Sequence, residues 1–279
     1  LLVKSRSSLV RGAPLRWLLA IWLALITHPL LDAFTVYGTQ VLWPMKTLPV
    51  MWATIFVIDP LYTVPLLIGV IAAWQLSPYK TAQQTSGSGR DKAARNWLVA
   101  GLLVSSAYLA WSVAAKYLVD RVASQSLAVL NLQNAPRFST PLPFNTLAWR
   151  VIVMVPDGYW LGDRSLVADR GAMQFTFHES DNQALAQLTS GPQLKRLLWF
   201  THGFIAAHAQ RREDGGLRLI LADLRMGLEP DYFFRYDIAG IDERGHWAAA
   251  EITQLPESGD TAKTLSWVWR RIYDSKATP

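Results

Sequence analysis

The chain contains no cysteine. That excludes disulfides, thiolate metal sites and cysteine nucleophiles, and it leaves the redox compartment open. Charge is sparse too. Charged residues make up 17% of the 279 positions, against 51% hydrophobic ones. Acids are the scarcer sign, 21 against 27 Lys and Arg, for a net charge of +6. No G-x-S-x-G, P-loop or G-x-G-x-x-G occurs, so neither a nucleophile elbow nor a phosphate-cradling loop can be drawn. There is no internal repeat. The basic residues sit in short clusters beside apolar segments. That pattern fits membrane flanks better than a nucleic-acid face, and no nucleic-acid partner is expected.

The apolar excess lies almost entirely before residue 120. Trp17 to Phe34 is apolar apart from Thr27, His28 and Asp32, and its length is close to the ~20 residues of a membrane helix. A second region, Thr47 to Leu76, is interrupted by Asp59 and by Pro49, Pro60 and Pro65. Pro49 to Ile58 is expected to be re-entrant or interfacial, with Leu61 to Leu76 spanning. The third segment, Trp97 to Ala115, has no charge. Lys4, Arg6, Arg11 and Arg16 precede the first segment, and only Lys46 separates the first from the second. Lys80, Arg90, Lys92 and Arg95 separate the second from the third. The positive-inside rule then puts the N-terminus and residues 77–96 in the cytoplasm. Residues 37–48 and everything after residue 120 face the other side. "TAQQTSGSGRDKAARN" reads as a flexible polar loop.

The second half has another pattern. After a Pro- and Asn-rich linker, "LAWRVIVMV" and "PDGYWLGDRSLVA" read as strands joined at Asp157-Gly158. "AMQFTFH", "FIAAHAQ", "LRLILADL" and "DYFFRYDIA" read as further strands, with a turn at Glu213-Asp214-Gly215-Gly216. "PQLKRLLWF" and "TAKTLSWVWRRIY" read as amphipathic helices. The expected fold is α+β. Transmembrane helices occupy 1–120, a linker 121–145, and a mainly antiparallel extracytoplasmic domain 146–279.

Two ionisable groups interrupt the first span. His28 and Asp32 are spaced i, i+4, which places both on one face of a helix, one turn apart. An imidazole nitrogen and a carboxylate oxygen both suit zinc, manganese or a related divalent ion. The alternative is a helix end whose polar groups meet interfacial water. Ionisable groups in membrane segments default to a functional hypothesis. Asp59, in "FVIDPLYT", has two compatible readings. It is an N-cap with proline at the favoured first helical position, or a catalytic carboxylate near His28. Gly38 reads as a C-cap, and Tyr37 and Trp43 suit a membrane interface. His178, His202, His208 and His246 read as ordinary domain residues. "LADLRMG" and "PLPFN" are distinctive but carry no evident chemistry.

In order along the chain, "THPLLDAFTVYGTQVLWP", "FVIDPLYTVPLLIG", "PLPFNTLAWRVIV" and "DLRMG" with "YFFRYDIA" resemble the bacterial inner-membrane-bound metal-dependent hydrolases, some described as LexA-regulated. The resemblance covers nearly the whole chain, and its first two motifs are the most specific. It implies metal-site roles for His28 and Asp32, and it matches Asp59 to the family's "DP" element. The family also carries an acidic "PD-x-D" and a histidine-rich "HR-x-x-[ST]-H" element in earlier helices. Neither occurs in this sequence, which starts at Leu1 and is expected to be N-terminally truncated. The resemblance implies a multi-pass inner-membrane hydrolase with a divalent metal, and the location of the site, not the resemblance, leads to the expectation of a phosphoester or lipid-linked substrate. The alternative is a non-catalytic membrane scaffold or sensor with a soluble binding domain.

Overall fold

The computed structural model describes residues 12–45, 47–76, 88–188, 191–212, 215–256 and 259–278. Lys4, Arg6, Arg11, Lys46 and Lys80, and the turn at Glu213-Asp214, lie outside the described residues.

The first helix, α1, runs Pro14–Ala33, with proline in its first turn. Only Ala33 at its far end is buried. The second, α2, is Pro60–Leu76. The third, α3, is Ser88–Val129, 42 residues long. By length and composition α1 and α3 can each cross a membrane. The third expected span, α2, is apolar but shorter, at 17 residues.

Helix α3 differs from expectation at both ends. Residues 88–96 were expected in a flexible loop and are its first turns. Beyond Ala115 it continues to Val129, into the stretch expected as a linker. The cause is its pattern. Ala115, Val119, Ala123 and Leu127 recur every four residues and bury one stripe against a sheet, so packing holds the helix after the apolar span ends. The rest of the expected linker supplies a strand, β1 (Arg137–Pro141). In its register Phe138 turns inward toward the core.

Strands β2 (Ala148–Val155) and β3 (Gly158–Ser165) form the expected hairpin, with Val155 opposite Gly158. With β1 and β4 (Thr176–Glu179) they make a four-stranded antiparallel sheet in the order β1-β2-β3-β4. Two short helices follow, α4 (Asn182–Leu188) and α5 (Pro192–Phe200). Strands β5 (Ile205–Arg211), β6 (Leu217–Asp223), β9 (Arg235–Ile241) and β10 (Trp247–Gln254) form a second sheet, ordered β10-β9-β6-β5. A two-residue ladder joins β7 (Gly227–Leu228) to β8 (Asp231–Tyr232), so "DYFFRYDIA" is split between two strands. The last helix, α6 (Thr261–Tyr273), is N-capped by Asp260, which accepts from Ala262 N and Lys263 N.

Alternation along the strands builds the layers. On β2, Trp149, Val151 and Val153 face α3, while Ile152 faces the second sheet. On β5 and β6, Ala206 and Ala222 face the first sheet. Ala207, Leu219 and Leu221 face α4 and α5. The order is therefore α3, sheet one, sheet two, then α4 and α5. The fold is α+β with apolar helices followed by antiparallel sheets.

Helices α2 and α3 meet through small residues. A Cβ on Gly101 would lie 2.6 Å from the Pro65 carbonyl oxygen, and one on Gly69 2.8 Å from that of Trp97. Ser105 Oγ donates to the Tyr62 carbonyl at 2.7 Å, and Tyr108 Oη to Asp59 Oδ2 at 2.8 Å. Close backbone approach plus interhelical hydrogen bonds is how membrane helices associate without a hydrophobic drive. Gly101→Leu is expected to push α2 off α3. Detergent-solubilised protein should melt several degrees lower, the effect of roughly 1–3 kcal/mol of overpacking. Gly89→Ala, with nothing within 4 Å of the added atom, is the control. Equal melting of the two variants would mean that the helices do not meet there.

Candidate functional site

His28 and Asp32 lie in the last two turns of α1. His28 Nε2 is 3.4 Å from Asp32 Oδ2, and their side chains are 80% and 44% exposed. The helix closes just beyond them. Thr35 donates through both N and Oγ1 to the Asp32 carbonyl, at 3.0 and 2.8 Å. That cap uses the Asp32 backbone and leaves its carboxylate directed at His28.

The spacing of the two donors is that of ligands on a divalent ion. Two ligand atoms each ~2.1 Å from a tetrahedral ion lie about 3.4 Å apart. The observed separation therefore fits two ligands of one ion. A catalytic zinc takes three protein ligands. Among the described residues no group of three or more His, Asp or Glu side chains is placed to hold a metal. The structure thus brings His28 and Asp32 together and does not add Asp59 to them.

Asp59 is buried where α2 begins. Its Oδ1 accepts from Leu61 N at 3.0 Å, which is the N-cap arrangement, and its Oδ2 accepts from Tyr108. It therefore caps α2 and ties it to α3.

Residues 34–58 join α1 to α2 and are seated in the sheet domain. Trp52 N donates to the Ala33 carbonyl, and Thr54 N to that of Phe34, both at 2.7 Å. Thr39 and Val50 exchange backbone hydrogen bonds as an isolated bridge. Gly38 takes the left-handed φ of +83° that this turn needs. The chain is thereby folded back on itself, and Val36 and Ala53 enter the core beside Phe138, Ile152 and Leu224. On the opposite side Trp43, 76% exposed, and Val41, Leu42 and Leu48 face outward. The segment expected at the membrane interface carries an apolar outer surface suited to it.

Sequence reading missed the anchor of this segment. Asp223 and Arg225, in "LADLRMG", form a buried bidentate ion pair at 2.6 and 2.8 Å. Arg225 also donates to the Phe200 carbonyl at 3.0 Å and to Met51 Sδ at 3.4 Å, and it lies over the Phe200 ring. Two residues apart at a strand end, an Asp and an Arg share a face, and that D-x-R spacing was the available signal. His202 adjoins the pair. It has a φ of +55°, is hydrogen-bonded to the Pro49 backbone, and has a buried Nε2 without a partner.

Residues 2–119 match the family described as YdjM inner membrane protein. The matched part includes α1, α2, His28, Asp32, Asp59 and the connecting segment, and over these residues the chain is similar to an inner membrane protein. No curated protein and no solved structure matches the chain.

Burial, aided by the Arg225 charge, lowers the His202 pKa below its ordinary value of 6.5. The unfolded chain then takes up the proton first. The contribution is whole above about pH 6.5 and is lost as pH falls below it. Melting of the full chain should therefore drop between pH 7 and 5. His202→Asn, which tolerates positive φ and cannot titrate there, should flatten that slope. An unchanged slope would remove His202 from the account.

Proposed function

We propose that the chain is a membrane-anchored hydrolase that uses a divalent metal held in part by His28 and Asp32. The observation that carries this reading is the pair itself, two donors 3.4 Å apart and open to solvent at the end of an apolar helix. The ligands that complete the set are ones the described residues do not supply. A divalent ion bound there would lower the pKa of a bound water and polarise a scissile group. Zinc and manganese both accept this donor chemistry. Asp59, at the start of α2, is the catalytic carboxylate of this reading. Its oxygens accept from Leu61 N and Tyr108 Oη, and in this reading the carboxylate orients water or a ligand histidine.

The similarity of residues 2–119 to an inner membrane protein supports the location. The anchor is multi-pass, with α2 as its third apolar helix. Arg16 in the first turn of α1, and Arg90, Lys92 and Arg95 at the start of α3, support a cytoplasmic side for those ends. The sheet domain then lies extracytoplasmically with His28 and Asp32. Phosphoesters and lipid-linked compounds are the substrates that a site at this depth meets.

A second reading, a non-catalytic scaffold or sensor, is favoured by the two-ligand set and by the tight seating of residues 34–58 in the sheet domain. Metal titration of the purified full chain separates the two. The hydrolase reading expects stoichiometric Mn²⁺ or Zn²⁺ binding and metal-dependent phosphoesterase activity. Loss of a mere outer partner costs about 10–100-fold in metal affinity, so His28→Ala and Asp32→Ala are expected to cost more. No binding by the parent chain, with both variants indistinguishable from it, leaves the scaffold.

A further inference from the structure

An apolar trough runs along the face of the second sheet that α5 covers incompletely. Its wider part, about 350 Å³, is bounded by Leu197, Phe200, Tyr236 and Ile252. It continues past Gln193 and Ile252 into a second hollow of about 170 Å³, against Leu194, Ile238 and Ala249. The two hollows adjoin at Gln193 and Ile252, which line both. Their walls are apolar, apart from Gln193 and Arg196.

The position of one end indicates what fills it. The Phe200 ring, which forms that end, packs edge-on against Tyr37 at 5.2 Å. Tyr37 follows closely on the last residue of α1, in the segment that exposes Val41, Leu42, Trp43 and Leu48. The trough therefore opens where the chain leaves the apolar helix, beside a surface suited to the bilayer boundary. Helix α5, which forms one wall, is nine residues long, or about 13.5 Å at its ordinary rise. Arg196 on the rim supplies a cation at the polar edge.

We propose that this trough takes one acyl chain of an anionic phospholipid from the adjoining leaflet, with Arg196 meeting the phosphate. The inference does not depend on metal chemistry at His28 and Asp32.

The test uses the full chain in vesicles of phosphatidylglycerol and phosphatidylethanolamine that contain a photoactivatable acyl phosphatidylglycerol. Adducts are mapped by mass spectrometry. They are expected on α5 and β10 as well as on the apolar helices. Gln193→Trp fills the junction of the two hollows from an exposed helix position. It should cut labelling of α5 and β10 by at least about tenfold, because each displaced methylene loses its burial. Arg196→Gln should abolish the preference for the anionic probe over its phosphatidylcholine analogue. Equal melting of Gln193→Trp and parent protein shows that the fold is kept. His28→Ala should label as the parent does, so failure of the hydrolase reading leaves this result intact. Adducts confined to α1–α3 and residues 34–58 would overturn the proposal, as would unchanged labelling in Gln193→Trp. So would crosslinks showing that a second copy of the chain covers the trough.

Discussion

The buried ion pair of Asp223 and Arg225 couples the membrane-side segment to the sheets. Both side chains are 2% exposed, so each charge has been taken out of water. That cost is met only while both oxygens and the guanidinium keep their partners. Arg225 has hydrogen left for the Phe200 carbonyl and Met51 Sδ, and one side chain thereby fixes β6, the end of α5 and residues 49–53 together. Removing one member of such a pair typically costs about 3–5 kcal/mol, because the other is left unpaired. A neutral contact of the same shape would tolerate sliding. A bidentate pair does not, so the segment beyond α1 has one seat.

Helix α3 transmits that constraint to the bilayer. Its lower part presents Gly101, Ser105, Tyr108 and Ser112 on one side, at spacings of four, three and four. Gly101 packs against the α2 backbone, and the three hydroxyls donate to the Tyr62 carbonyl and to the side chains of Asp59 and Thr54. Its upper part carries the apolar stripe that covers the first sheet. At the change from one regime to the other sits Lys116, whose Nζ donates to the carbonyl and hydroxyl of Ser139 at 2.6 Å. Ser139 Oγ in turn donates to Asp120 Oδ1 at 2.6 Å. A lysine there is satisfied by β1 and by its own helix. The helix therefore continues without a break from apolar span to domain wall.

Much of this was legible in sequence. The β2–β3 hairpin, α5 and α6 follow from turn chemistry and periodicity. The His28–Asp32 contact follows from an i, i+4 spacing. The Asp59 cap follows from a carboxylate before proline. The rest depended on distant partners. "RFSTP" reads as linker until β2 is there to pair with it, and β10 is an alanine-rich edge strand with little to distinguish it from a loop. The length of α3 was hidden because its charges after Ala115 look like an exit from the membrane. They are the solvent and strand-facing positions of an amphipathic wall. Asp223 and Arg225 were visible as letters. Their meaning needed Phe200 and Met51, which are far from them in the chain.

Depth decides what His28 and Asp32 can meet. Mid-bilayer, an imidazole and a carboxylate would be costly and would need protein around them. At the last turns of α1 both remain exposed, and little folding energy is needed to hold them. Such a pair is neither a core device nor part of the helix packing, since α1 buries only Ala33. Its accessible space is the surface at the end of α1. Residues 34–58 continue that surface with an apolar outer face, and Tyr37 connects it to the trough beside α5. The exposed pair and the apolar trough border one continuous surface, joined by the Tyr37–Phe200 contact, and that continuity is the physical reason to consider them together.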